Sequence, residues 1–98
     1  MAGVDLFDFP AFKPECRGGH RELADKLVSE AAEAFAEIRL LGDRDNNGSR
    51  EYVAYELADV MQVVRNVCDE FEISPNLMRT AQVACVNRNS WRDGGRYA

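Results

Sequence analysis

The chain is poor in the residues that most enzyme and metal chemistries need. It has one histidine, His20, and three scattered cysteines, Cys16, Cys68 and Cys85, with no C-x-x-C pair. A tetrahedral zinc site takes about four sulfur or imidazole ligands, which this set barely supplies. A Cys/His nucleophile would have to join Cys16 to His20, and nothing around them supports that. An odd, sparse cysteine set is no extracellular disulfide framework and fits a reducing cytoplasm, so each thiol is expected to be a small buried hydrophobe. No apolar run approaches the roughly 20 residues that cross a bilayer. The opening, Met1 to Asp8, has neither the basic nor the apolar stretch of a secretory signal. The expectation is a cytoplasmic protein with no membrane association. Positive charge is also short: twelve Lys and Arg stand against seventeen Asp and Glu, a net charge of −5. That disfavours a duplex nucleic-acid partner, whose phosphates call for clustered cations.

What is present is a globular composition, 46% apolar and 30% charged over 98 residues. That length makes one domain, 1–98. A chain this small buries only about 60–65% of the surface it exposes when unfolded, so its core is expected to be completed by oligomerisation.

Three segments are helical in pattern. From His20 to Leu41, apolar residues recur at three- and four-residue steps (Leu23, Leu27, Ala31, Ala34, Phe35, Ile38, Leu41), and Gly42 is a natural stop. A second helix runs from Ser49 or Arg50 to Phe71, with Ser49 as N-cap and a stripe of Val53, Leu57, Val60, Met61, Val64, Val67, Cys68 and Phe71. Ser74-Pro75 starts a third, to about Asn87, carrying Leu77, Met78, Ala81, Ala84 and Cys85. Residues 1–19 read as an extended arm bearing Phe7, Phe9 and Phe12, which should pack on a helix pair. The helical core spans 20–88, and 89–98 reads as a basic tail in which Trp91 is expected to close the core. The fold class is all-α, a bundle of three main helices per chain.

The position of the acids is the informative feature. Glu30 and Glu33 lie three apart on the first helix with Glu37 four further on, and Glu56 and Asp59 repeat the three-residue step on the second. Such spacings share a helix face. These acids flank the apolar stripes instead of opposing them, so an antiparallel pair of helices would bring them together near mid-helix. Four converging carboxylates repel strongly out of water and need a cation. Within the helices only Lys26, Arg39 and Arg65 are near; otherwise Mg²⁺, or Mn²⁺, suits an all-oxygen site. The plainer reading is that the acids are solvated helix edges. A second cluster, Arg88, Arg92 and Arg96 with Asn87, Asn89 and Trp91 between them, can fork onto phosphate oxygens. No glycine-rich phosphate loop accompanies it.

Glu30-Ala-Ala-Glu33 followed by Glu56-Leu-Ala-Asp59-Val60 resembles the paired E-x-x-E and E-x-x-D signature of MazG-like nucleotide pyrophosphohydrolases, in the all-α NTP pyrophosphatase superfamily. Leu27 to Glu37 resembles that family's first metal helix, and Asn89-Ser-Trp-Arg92 resembles the asparagine and arginine after its last core helix; about 20–93 is covered. The chain departs from the family pattern at Ala31-Ala32, where glycine is frequent, and at Asn87-Arg88, where a lysine is frequent. The resemblance implies hydrolysis of a nucleoside triphosphate, often deoxy or non-canonical, to the monophosphate and pyrophosphate. It implies Mg²⁺ at Glu30, Glu33, Glu56 and Asp59, with Glu33 directing the attacking water. Phosphates would be held by Arg88, Asn89 and Arg92, in a homodimer or homotetramer. The alternative is a non-catalytic helical module for nucleotide binding or regulatory interaction; the complete four-acid set favours the enzyme.

Overall fold

The computed structural model describes residues 5–12, 18–43 and 49–92. They form a 3₁₀ turn at Leu6–Asp8 and three helices: α1, Gly19–Gly42; α2, Arg50–Glu70; and α3, Pro75–Trp91. There is no strand among the described residues, and the fold is all-α.

The helix boundaries follow local chemistry. Ser49 Oγ accepts the amide hydrogens of Glu51 and Tyr52 at 3.1 and 3.4 Å, and Ser74 Oγ accepts that of Leu77 at 3.1 Å. Each hydroxyl satisfies donors that a helix start leaves unpaired, and Pro75, which has no amide hydrogen, fills the first turn of α3 at no cost. The end of α2 is a Schellman motif: the Ile73 amide donates to the Cys68 carbonyl at 2.8 Å and the Glu72 amide to that of Asp69 at 3.3 Å. Its left-handed position holds Glu72, φ 54°, where glycine is usual. One boundary differs from the sequence expectation. α3 does not give way to a tail at residue 89 but continues through Asn89 and Ser90 to Trp91, since no proline or glycine interrupts it before Gly94.

α1 and α2 pack along each other and are antiparallel. The His20 ring, at the start of α1, lies 6.4 Å from the Phe71 ring just past the end of α2. Their seam is built on Leu23, Leu27, Glu30, Ala34 and Glu37 from α1 and on Glu56, Val60, Val63 and Val67 from α2, all buried or half-buried. This corrects the expected stripes. Phe35 is 60% exposed and Ile38 and Leu57 are also exposed, whereas Val63 and Asn66, outside the expected stripe, are buried. The apolar pattern is wider than one packed face, and the part that faces α2 is shifted toward the acids.

The arm contributes through the 3₁₀ turn, which packs on α2. Asn66, 0% exposed, accepts the Phe12 amide hydrogen at 2.8 Å and a Gln62 amide hydrogen at 3.0 Å, and Gln62 also donates to the Pro10 carbonyl at 2.9 Å. Phe7 and Phe9 are half-buried there beside α2, where a helix pair was expected to receive them, and Phe12 is exposed. α3 has no comparable packing on α1 or α2, and none of its residues is buried. Trp91, expected to close the core, is 84% exposed.

Candidate metal centre

Mid-way along the seam, Glu30, Glu33 and Glu56 each present a carboxylate oxygen, and the three oxygens lie within 4.8 Å of one another. The helices impose this. A three-residue step keeps Glu30 and Glu33 on adjoining positions of α1, and the antiparallel pairing brings Glu56 level with them. Glu30 is buried at 8% exposure, Glu56 is half-buried and Glu33 is exposed, so the cluster opens to solvent on the Glu33 side.

The two helices divide this hairpin into unlike faces. Advancing about 100° per residue round α1 sets Glu33 on one flank of the seam and Val28, Ala31, Phe35 and Ile38 on the other. Round α2 the same count sets Asp59 on one flank and Leu57 and Val64 on the other. Because the helices are antiparallel, Glu33 and Asp59 fall on one common face and these apolar residues on the opposite face. Asp59 is exposed and is not one of the three converging carboxylates, although its charge bears on Glu56.

The electrostatics are unbalanced. Burial of the Glu56 carboxyl, then the charge of Glu33 and a hydrogen bond shared with it, and further the charges of Asp59 and Glu30, all raise its pKa above the ordinary 4.5. Two acids this close favour the protonated form of Glu56, which is the direction in which its pKa moves. Of the three cations on these helices that could offset the cluster, only Lys26 serves it, at 3.1 Å from Glu30. Arg39 instead pairs with Asp43 at 3.3 Å and lies over Phe35, and Arg65 lies 5.1 Å from the Phe7 ring centre. Glu30 Oε2 and Glu56 Oε2 are buried with no hydrogen-bond partner.

These residues fit a hard divalent cation. All donors are carboxylate oxygens, two of them are buried and unpaired, and the negative charge exceeds what one lysine offsets. The remaining expected site residues are not gathered to the acids in the single chain. Arg88 and Arg92 are exposed on α3 and at its C-cap, and Asn89 donates to Cys85 Sγ at 3.7 Å. Arg96 and Cys16 lie outside the described residues. Cys68 is buried as expected, and that burial pushes its thiol up against the opposing pull of Arg65. Cys85 is exposed on α3, none of whose residues is buried. Asn66 and Gln62, which fix the arm beside the acid-bearing helix, carry no motif; a polar pair at a four-residue step amid apolar α2 is the one trace they leave in the sequence.

The chain was compared with protein-family models, with characterised proteins and with solved structures, and nothing matched it.

Proposed function

We propose that this protein hydrolyses a nucleoside triphosphate to the monophosphate and pyrophosphate at the Glu30–Glu33–Glu56 cluster. The observation that carries this reading is the convergence of three carboxylate oxygens within 4.8 Å, two of the glutamates having a buried oxygen without a partner. The E-x-x-E and E-x-x-D spacing, which resembles that of MazG-like pyrophosphohydrolases, adds the reaction.

Glu30, Glu33 and Glu56 would hold Mg²⁺ or Mn²⁺, with Asp59 beside them on the open face. When bound, such a cation neutralises phosphate charge and acidifies a water molecule. Glu33, the exposed member, stands at the mouth of the site as the base. It takes a proton from water as the water oxygen bonds to the α-phosphorus, and the bond from that phosphorus to the α–β bridging oxygen breaks. Pyrophosphate leaves with the electron pair of that bond. Lys26 orients Glu30 through their ion pair. Arg88, Asn89 and Arg92 are the residues suited to the β- and γ-phosphates.

Hydrolysis in ¹⁸O-labelled water tests the reading, using a panel of canonical and modified NTPs and dNTPs with Mg²⁺ or Mn²⁺. The label should enter the nucleoside monophosphate alone. Label in pyrophosphate or orthophosphate would place the attack elsewhere, and no release from any nucleotide would favour the non-catalytic module.

A further inference from the structure

Arg65 takes no part in the acid cluster. Nine residue steps of about 100° place it half a turn round α2 from Glu56, and about 13 Å along the helix. There it lines a cavity of about 470 Å³, bounded by Phe7 of the arm, the last turn of α2 and the segment Ile73-Ser74-Pro75 that opens α3. That volume is at the small end of the range for ligand sites.

The guanidinium is short of partners. It lies 5.1 Å from the centre of the Phe7 ring, its Nε is buried without a hydrogen bond, and no carboxylate pairs with it among the described residues. An arginine stays charged at any ordinary pH, and a buried donor left unmade is costly. Stacking on Phe7 occupies the flat face of the group and leaves its edges, which match the two oxygens of a carboxylate. Ser74, on the same cavity, adds a second donor. Its Oγ accepts the Leu77 amide hydrogen at 3.1 Å, while its own hydrogen goes to no described group.

The opposite charge is present in the same cavity. Glu72 and Asp69 both line it, and neither forms an ion pair with Arg65. Glu72 stands in the left-handed conformation, φ 54°, so a charged side chain is kept there against the preference of the backbone for glycine. A phosphate would bring its charge up to these two carboxylates. A ligand with an ammonium group beside its carboxylate instead meets the opposite charge at both ends. Phe7, Ile73 and Pro75 supply an apolar wall between the charged groups and solvent.

We propose that this cavity binds a free α-amino acid with an apolar side chain. Its carboxylate lies on the Arg65 guanidinium and the Ser74 hydroxyl, its ammonium group on Glu72 and Asp69, and its side chain against Phe7, Ile73 and Pro75. The site is on the far side of α2 from the acid cluster and does not depend on the hydrolase reading. Such a ligand joins the arm, α2 and the turn into α3, which meet at this cavity.

Proton–nitrogen NMR on the whole chain in chelator tests this, following the Arg65 Nε–H and the Ile73 and Ser74 amides as leucine, methionine or phenylalanine is added. At least one of these should shift those signals saturably by about 10 mM. At the same concentration isocaproate, which has the side chain and carboxylate of leucine without the amine, isoamylamine, which lacks the carboxylate, and inorganic phosphate should not. Arg65→Gln and Glu72→Gly should each weaken binding by about tenfold or more. Glu72→Gly removes an exposed side chain at a position that suits glycine, so a loss of binding there is not a loss of fold. The site is overturned by no saturable shift with any of the amino acids, by equal shifts with isocaproate or phosphate, by unchanged affinity in Glu72→Gly, or by shifts confined to the acid cluster.

Discussion

Across the α1–α2 seam, the carboxyls of Glu33 and Glu56 share a hydrogen bond, and that bond adds to burial and to the Glu33 charge in raising the Glu56 pKa. Two acids on different helices are pressed together by the same apolar packing that makes the hairpin, and the cost is carried by Glu56. Several consequences can be measured.

The first is a pH dependence of stability. Burial and the neighbouring Glu33 raise the Glu56 pKa in the folded state above 4.5. The folded protein therefore binds more protons than the unfolded chain between 4.5 and the raised value. Stability from this group is fully present below 4.5 and is lost as pH rises through the raised pKa. In chelator, the melting temperature of the wild type should fall across that window relative to Glu56→Gln, which keeps the shape and removes the charge. Parallel curves for the two proteins would contradict this.

Divalent cations should reverse that loss. Mn²⁺ or Mg²⁺ bound only by the folded state stabilises it, by about 2.7 kcal/mol at a hundredfold excess over Kd. Thermal melts should show this for the wild type and not for a Glu30→Gln, Glu56→Gln double variant. An equal shift in both would assign the effect to general surface charge.

Asn66 should contribute measurably to holding the arm. Asn66→Ala leaves the Phe12 amide and the Gln62 side chain without their common acceptor, which should cost about 1–3 kcal/mol in urea unfolding. Faster hydrogen exchange at Phe12 should accompany it.

Glu72 sits where glycine belongs. A side chain in the left-handed region costs about 1–2 kcal/mol, of which glycine's extra unfolded-state entropy takes back about 0.5–1 kcal/mol. Glu72→Gly should therefore stabilise the protein by roughly 0.5–1 kcal/mol in urea unfolding, and a loss of stability would show that the Glu72 side chain makes an offsetting contact.

Most of the helical architecture is legible in the sequence, because the signals are local. Ser49, Ser74-Pro75 and Gly42 mark ends by satisfying or breaking hydrogen bonds within a few residues. The meeting of Glu30, Glu33 and Glu56 is legible too, since helix spacing and a short loop leave few ways to pair α1 with α2. Which half of a wide apolar band faces inward is not legible: Phe35 and Ala34 are neighbours in sequence, and only the position of α2 decides that Ala34 is buried. The end of α2 is hidden because Glu72 occupies a glycine position, and the arm is hidden because Asn66 looks like any polar helix residue. The fate of Arg88, Asn89 and Arg92 depends on what α3 packs against, a matter of tertiary contact that spacing along one chain does not encode.

The most direct test of the central claim is pyrophosphate release from nucleoside triphosphates by the purified wild type, by Glu33→Gln and by Glu56→Gln, each with Mg²⁺ and with chelator. Glu33 and Glu56 acting at a metal-dependent site predict release by the wild type with Mg²⁺, none in chelator, and a loss of at least about a hundredfold in both variants while their folds persist. Release that survives chelation, or that either variant sustains at the wild-type rate, would contradict it.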